Sequence, residues 1–176
     1  MKKTFKKTII TLSVIFGSVL LHSCIKDDLT DDSKALKAGD QCPAFSTKDI
    51  NGQTHNLPDP NKPTVILFFD SECPDCRRQI PVVQQLYDKY KDGCHFIALG
   101  REHNEQEVKD YVSREGFTFP FAADPGARIY SKFAGVIVPR VYIVNDRTIL
   151  LSTTDKESLS YKAGCDLLDN LLRPTE

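Results

Sequence analysis

The chain has 176 residues, with 23 Lys and Arg against 24 Asp and Glu, which gives a formal net charge of −1. This length is enough for one domain that buries a substantial hydrophobic core. A balance without excess basic charge argues against a nucleic-acid function, so we predict no nucleic-acid partner.

The N-terminal residues 1–23 have the pattern of an export signal. Four lysines precede an apolar run over 9–21, which predicts a signal peptide because the run is short for a membrane-spanning helix. The segment ends in Leu-His-Ser before Cys24 and so resembles the lipobox of bacterial lipoproteins. That resemblance implies cleavage before Cys24 and attachment of Cys24 to the lipid bilayer. Ordinary secretory cleavage and an uncleaved anchor are the alternatives.

Cleavage before Cys24 would leave 153 residues with 19 basic and 24 acidic side chains, a net charge of −5. The polar stretch 24–37 predicts a disordered tether in front of a domain over 38–176. Lys26-Asp27-Asp28 also resembles the surface-export signals of some Gram-negative lipoproteins, and a solvated linker explains these residues equally well. The predicted location is therefore the bacterial envelope, either its periplasmic side or its outer surface.

The domain begins with a predicted β-hairpin. Two short strands over 45–48 and 54–57 flank Asn51-Gly52, a dipeptide that strongly favours a tight turn. After a proline-rich connection comes an apolar run over 65–69 that is rich in β-branched and aromatic residues. Such a run predicts a strand that is buried on both faces of a sheet.

A helix follows this strand, with apolar side chains at helical spacing over 74–90 and with Pro81 expected to kink it. Next we predict a buried strand, a helix capped by Asn104 and ended by Gly116, and an extended piece. Asp124-Pro125 is then expected to open another helix, before a hairpin and a final helix. The ranges of the other elements are 94–99, 105–115, 119–121, 141–144 with 148–152, and 157–172.

Strands that alternate with helices indicate right-handed crossovers and a sheet covered on both faces. The closing hairpin adds antiparallel strands, so the sheet should be mixed. The predicted fold class is α/β, with three layers in the order α/β/α and the N-terminal hairpin as an extension.

The strongest candidate site follows the buried strand. A polar turn over 70–72 leads into Cys73-Pro74-Asp75-Cys76 at the start of the helix. The N-terminus of a helix carries partial positive charge, which favours a thiolate, and Pro74 suits the first turn because its missing N–H costs nothing there. Two intervening residues on a helical turn bring the sulfurs within bonding reach.

We interpret this motif as a redox dithiol in which Cys73 is the attacking sulfur and Cys76 is the buried resolving one. A zinc site is the first alternative, but it needs a second ligand pair at suitable spacing, and no second paired motif exists in the sequence. The second alternative is a pair of buried structural cysteines. The polar neighbours of the motif disfavour such a dry, inert site.

Three further cysteines and three histidines follow no site pattern. Two of the cysteines could pair in an oxidising compartment, although sequence does not decide which; they are Cys42, Cys94 and Cys165. We assign no catalytic role to the histidines of the domain, which are His55, His95 and His103.

Taken together, the motifs resemble the thioredoxin superfamily, and within it the TlpA/ResA-like, AhpC/TSA-related thiol–disulfide oxidoreductases that are tethered to membranes outside the cytoplasm. The resemblance covers 36–172. Four parts carry it: Gly39-x-x-Cys42-Pro43-x-Phe45 with Asn51-Gly52, Phe68-Phe69 through Cys73-x-x-Cys76 to Pro81, Phe119-Pro120-x-x-x-Asp124, and Val138-Pro139 before a strand.

The resemblance implies that Pro139 is cis and lies against the Cys73–Cys76 pair, so that the backbone of Val138 pairs with an extended substrate. It implies protein disulfides or dithiols as substrates and an upstream membrane thiol reductase as electron donor. The Cys73–Cys76 disulfide would be the only redox group, with no metal or organic cofactor, and we expect a monomer. Arg140 replaces the more usual Thr after this proline and is expected to face substrate or solvent.

The chain departs from the family pattern at three positions. Glu72 stands where many relatives have Trp, Leu67 where thioredoxins have a buried Asp, and Gln79 where the TlpA/ResA-like group often has Glu. Both usual proton shuttles are therefore missing. The available substitutes are water or one of three acids near the dithiol: Asp70, Glu72 and Asp75. Because acidic neighbours disfavour a thiolate, we expect a reductant rather than a strong oxidant.

Two other functions compete with this interpretation. Peroxiredoxins share the fold, but they need a Thr three residues before the reactive Cys, where this chain has Asp70; only Arg140 favours a peroxidase. The second competitor is a redox-silent surface binding lipoprotein, which the intact Cys-x-x-Cys and Pro139 disfavour.

Overall fold

The structure is a computed structural model that describes residues 34–153 and 157–173. The predicted signal peptide, Cys24 and most of the predicted tether lie outside these described residues. The end of the tether departs from the expected disorder. Ala35 is buried, and the N–H of Leu36 donates to the carbonyl oxygen of Phe133 at 2.8 Å. These two apolar side chains pack on the domain, so the packed part of the chain begins before residue 38.

Within the described ranges the chain forms seven strands and three α-helices. The strands are β1 (Phe45–Lys48), β2 (Thr54–Leu57), β3 (Thr64–Phe69), β4 (His95–Arg101), β5 (Phe121–Asp124), β6 (Arg140–Asn145) and β7 (Thr148–Ser152). The helices are α1 (Pro74–Tyr90), α2 (Glu105–Glu115) and α3 (Tyr161–Leu171). None of the helices in the described part of the chain has the length and apolar character needed to cross a bilayer.

Five strands form the predicted mixed sheet, in the order β5-β4-β3-β6-β7. β4 runs parallel to β3 and β5, whereas β6 is antiparallel to β3 and β7 is antiparallel to β6. β1 and β2 form the predicted separate antiparallel hairpin. β3 lies between β4 and β6. The C-terminal end of β3 therefore lies beside the C-terminal end of β4 and beside the loop that precedes β6.

Both faces of the sheet are covered, as the α/β prediction requires, but the three α-helices all pack on one face, so the second helical layer of the predicted α/β/α order is replaced by short 3-10 turns and the hairpin. Val65, Leu67 and Phe69 of β3 enter a core that includes side chains of all three helices. Ile66 and Phe68 enter a second core, on the other face, with the β1–β2 hairpin, the N-terminal segment and the residues after β5. Every residue of β3 is buried, which confirms the expectation of a strand covered on both faces.

The helix predicted after Asp124-Pro125 is absent, and two short 3-10 turns at Pro125–Ala127 and Tyr130–Lys132 replace it. Gly126 and Ala127 have φ of 69° and 52°, so the backbone leaves the helical region there. The buried Asp124 carboxylate accepts the N–H groups of Ile129 and Tyr130 at 2.9 and 2.8 Å. A buried acid therefore holds this segment where we expected helical hydrogen bonds.

α1 and α2 have the predicted bounds. α1 runs without interruption through Pro81. α3 begins at Tyr161 rather than near 157, because the Ser160 side chain caps it by accepting the N–H of Ala163 at 3.2 Å. Residues 157–160 are instead a non-helical segment whose Leu159 is buried.

Candidate active site

The predicted dithiol lies at the start of α1, after the short turn that connects β3 to this helix. Cys73 occupies the N-cap position of α1 with extended backbone angles, φ −74° and ψ 120°, and its side chain makes no capping hydrogen bond. Pro74 follows in the first turn. The N–H groups at the start of α1 therefore have no side-chain cap and can interact with a thiolate.

The two sulfurs differ in environment in the sense that the motif predicts. Cys73 is half-buried, whereas Cys76 is 0 % exposed. Burial raises the pKa of the Cys76 thiol far above its ordinary value, and the hydrogen bond to Cys73 raises it further. The N–H of Asp70 lies 3.4 Å from the Cys76 sulfur and lowers the pKa in part. Cys76 is thus held as a protonated thiol behind Cys73.

The loop before β6 lies against this pair. The Val138–Pro139 peptide bond is cis. The thiol of Cys73 donates to the carbonyl oxygen of Val138 at 3.6 Å, although 65 residues separate the two along the chain. They meet because β6 pairs with β3, which places Arg140 opposite Phe68 at the end of β3 that leads to Cys73.

A groove of about 250 Å³ opens beside the cis peptide bond. Its lining includes Val138 and Pro139 from the loop before β6, and Asp75 and Arg78 from α1. The segment that contains Glu157 also lines the groove. The lining of the groove is mainly polar and includes charged side chains, which suits a peptide better than a compact apolar ligand.

The three acids near the dithiol make other contacts. The Asp70 carboxylate accepts the N–H of Glu72 at 2.8 Å and so stabilises the turn before Cys73. Glu72 pairs with Arg77 at 3.5 Å on the surface, and Asp75 pairs with Arg78. Among the described hydrogen bonds, none joins an acidic side chain to a cysteine sulfur, so a proton-shuttle role for these acids stays a prediction.

Arg140 contradicts the expectation that it faces substrate or solvent, because it is 1 % exposed. Its guanidinium donates to the carbonyl oxygen of Thr153, just after β7. The N–H of Val141 donates to the hydroxyl of the same Thr153 at 2.9 Å. Arg140 therefore ties the strand after the cis peptide to the end of β7 from inside the fold.

Two residues near the site were missed as contacts by sequence reasoning. The buried Gln79 side chain exchanges two hydrogen bonds with the backbone of Leu159, at 2.8 and 3.1 Å, and so fixes the 157–160 segment against α1. His103 contacts Ser71, in the turn before Cys73. His103 follows β4 as Ser71 follows β3, and the two residues meet because these strands are parallel neighbours, which is a property of the fold.

The remaining cysteines lie away from the dithiol. Burial raises the pKa of Cys42 to about 12 and that of Cys94 to about 11, so both are inert thiols. Cys42 packs on one face of the sheet, whereas Cys94 and Cys165 pack on the other. The sheet between them excludes a disulfide between Cys42 and either of the other two.

Comparison with known proteins places the chain in a family. The model of the AhpC/TSA family matches residues 38–152. The thiol–disulfide oxidoreductase ResA of Halalkalibacterium halodurans is 29% identical over 147 residues, which cover 82% of either chain.

Among solved structures, StoA from Bacillus subtilis superimposes with a TM-score of 0.61 at 21% identity, covering 72% of this chain and 95% of that one. Peroxidoxin BcpB from Mycobacterium tuberculosis gives a TM-score of 0.63 at 17% identity, covering 79% of this chain and 99% of that one. Both show that the fold is shared. Since the family model matches more than half of the sequence, the chain belongs to the AhpC/TSA family and is a TlpA/ResA-like member of the thioredoxin superfamily.

Proposed function

We propose that this chain is a lipid-anchored thiol–disulfide oxidoreductase that reduces protein disulfides with its Cys73–Cys76 dithiol. One observation carries the proposal. The half-buried Cys73 sulfur lies at an uncapped helix N-terminus, 3.6 Å from the carbonyl oxygen of Val138, with Cys76 buried behind it. The curated relative named above, ResA, is a thiol–disulfide oxidoreductase, and we assign the same activity here.

In the first step, the Cys73 thiolate attacks one sulfur of a substrate disulfide. A mixed disulfide forms, and the other substrate sulfur leaves as a thiolate. In the second step, Cys76 loses its proton and its sulfur attacks Cys73. The Cys73–Cys76 bond forms, the second substrate sulfur leaves, and two electrons have passed from the dithiol to the substrate. A membrane thiol reductase then returns two electrons to the protein.

The second step needs a base, because burial raises the pKa of Cys76. The N–H of Asp70, 3.4 Å from the Cys76 sulfur, would stabilise the thiolate as it forms. Water entering beside Cys73, or a carboxylate of Asp70, Glu72 or Asp75, would take the proton. The dithiol itself carries the electrons, so the proposed cycle uses no metal or organic cofactor.

The substrate would bind as an extended segment along the Val138 backbone, with Pro139 and Pro74 shaping the two sides of the contact. The carbonyl of Val138 then exchanges its Cys73 contact for a backbone N–H of the substrate. Export by the signal over 1–23 and lipidation at Cys24 would place this reaction outside the cytoplasm. Labelling with palmitate checks the anchor, since a Cys24→Ala variant should lose the label.

The test of the proposed function is insulin reduction with dithiothreitol as donor. We expect the wild type to accelerate the reaction and the Cys73→Ser and Cys76→Ser variants to fall to the uncatalysed rate. Cys165→Ser is the matched control, because this half-exposed thiol lies in α3, away from the dithiol. Equal rates for wild type and both site variants would favour a redox-silent binding lipoprotein instead.

The peroxidase alternative has lost the residue that supported it. Arg140 is buried and hydrogen-bonded to Thr153, so it does not reach the opening above Cys73. Asp70 occupies the position where a peroxidase would need Thr. We therefore expect no peroxide consumption above background when the protein is supplied with a dithiol donor.

A further inference from the structure

The turn at the C-terminal end of β4 contacts both loops of the proposed active site. It comprises Gly100 to His103, and the N–H of His103 closes it on the carbonyl oxygen of Gly100 at 3.1 Å. Arg101 points to the loop that carries the cis peptide, and His103 to the loop that carries Cys73. We call it the 100–103 turn.

On the dithiol side, the contact runs through the His103 ring. Its Nδ1 lies 3.0 Å from the carbonyl oxygen of Arg101, so Nδ1 carries the proton and Nε2 is the acceptor. Nε2 accepts from the N–H of Ser71 at 3.1 Å and lies 2.8 Å from the Ser71 hydroxyl. Ser71 is two residues before Cys73, in the turn whose Asp70 N–H contacts the Cys76 sulfur.

On the substrate side, Arg101 donates from Nη1 to the carbonyl oxygen of Val136 at 2.6 Å. The guanidinium also lies over the ring of Tyr130, whose hydroxyl donates to the carbonyl oxygen of Ile137 at 2.7 Å. Arg101 and Tyr130 thus hold two successive carbonyl groups of the loop by hydrogen bonds. The next carbonyl, that of Val138, points to Cys73.

The 100–103 turn contains a backbone conformation that is unfavourable for its residue type. Glu102 has φ of 64°, a left-handed conformation that side chains other than Gly, Asn and Asp seldom adopt. A Cβ on Gly100 would lie 2.9 Å from Val108 and 3.1 Å from the Cβ of His103, so only glycine lets His103 fold back. Strained backbone conformations of this kind cluster at active sites, where the surrounding structure holds them in place.

We infer that the 100–103 turn is a positioning element for the reaction, which holds the Cys73 sulfur and the Val138 carbonyl in register so that a peptide-borne disulfide meets the thiolate. Arg101 and His103 act through the two loops and touch no reacting atom, so they are positioning residues. The inference rests on the proposed function. It predicts that the turn affects substrates that use the Val138 backbone, and has little effect on disulfides that touch the sulfur alone.

The experiment compares two disulfides with the reduced full-length chain in detergent. A cyclic disulfide peptide engages the groove, whereas 5,5′-dithiobis(2-nitrobenzoate) needs access only to the half-buried Cys73 sulfur. We expect Arg101→Gln and His103→Phe each to lower the second-order rate with the peptide by about 10-fold, while the rate with the small disulfide stays within about two-fold. His103→Phe keeps a ring against Phe69 but removes the acceptor for Ser71.

Three controls sharpen the result. The double variant should lose no more than either single variant, because breaking one end already uncouples the loops. His103→Gln, which keeps an acceptor within reach, should recover most of the peptide rate. Arg114→Gln removes an arginine that lies over the Tyr111 ring in α2, and it should change neither rate.

Several outcomes would overturn the inference: equal loss with both disulfides, multiplicative loss in the double variant, or no recovery in His103→Gln. If Arg101→Gln fails to fold, the His103→Phe and His103→Gln pair decides alone. If the wild type reduces neither disulfide, the proposed function itself fails. If the wild type reduces both and the turn variants match it, only the role of the turn is wrong.

Discussion

Two helices of this protein, α1 and α2, begin at the same edge of the sheet. Side chains cap the free N–H groups of α2, whereas those of α1 have no side-chain cap. α2 has a complete capping box. Asn104 accepts the N–H of Glu107 at 3.0 Å, and the Glu107 carboxylate accepts the N–H of Asn104 at 2.7 Å. α1 has Cys73 at the equivalent position, with no side-chain cap and with Pro74 after it.

The difference separates stability from chemistry. A side-chain cap satisfies N–H groups that would otherwise lack a partner and stabilises a helix by about 1 kcal/mol. α1 forgoes that stabilisation, and its N-terminal positive potential remains available to the Cys73 sulfur. The two helix starts lie at the C-terminal ends of neighbouring parallel strands, β3 and β4, so their difference comes from the residues at the caps.

The largest expected effect contrasts the two sulfurs of the α1 start. At pH about 7.5, iodoacetamide should modify Cys73 at least about 100-fold faster than Cys76. Burial raises the pKa of Cys76, so at this pH its reactive thiolate is scarcer than in an ordinary cysteine. Peptide mass spectrometry over time measures both rates. Similar rates would mean that Cys76 is accessible, and the assignment of attacking and resolving sulfurs would be lost.

The second prediction removes the cap of α2. Asn104→Ala should lower the free energy of unfolding by about 1 kcal/mol, or the melting temperature by about 3 °C, because the N–H of Glu107 loses its acceptor. Denaturant melts measure the loss, and Asn104→Asp should restore it. We expect insulin reduction to stay within about two-fold of wild type for both variants, since the described hydrogen bonds of the Asn104 side chain go to Glu107 and to neither loop of the site. A large loss of turnover in Asn104→Ala would contradict the separation.

The smallest expected change in stability comes from a variant that supplies α1 with the cap that it lacks. Cys73→Ser should abolish turnover and yet raise the free energy of unfolding by about 0.5 kcal/mol, because serine is a preferred N-cap residue. Cys76→Ser is the matched control. It places a hydroxyl in a fully buried site and should lower stability by about 1 kcal/mol or more. A less stable Cys73→Ser protein would show that the cysteine is not an unused cap.

Local patterns predicted the elements whose determinants are close in sequence. The apolar run of β3 and the helical spacing of α1 are confirmed, as are the Asn104 cap and the Gly116 end of α2. Burial periodicity and capping depend on residues within one or two turns, so the sequence carries them directly.

The segment after Asp124 shows where local patterns failed. Asp before Pro is a good helix start, yet the Asp124 carboxylate is buried and bonds two later N–H groups across the 3-10 turns. The prediction that Arg140 faces substrate or solvent was wrong for a related reason. A charged residue next to the cis peptide was expected at the surface, but a buried carbonyl of Thr153 accepts from it. Partners of buried polar groups are chosen by the fold.

The sequence by itself determined the dithiol, because two cysteines three residues apart at a helix start need only a helix to bring them together. Only the tertiary structure decided what surrounds that dithiol. Strand order and helix packing bring together residues that are 13, 32, 65 and 80 positions apart, and no local pattern encodes such pairs; they are Arg140 with Thr153, Ser71 with His103, Cys73 with Val138, and Gln79 with Leu159.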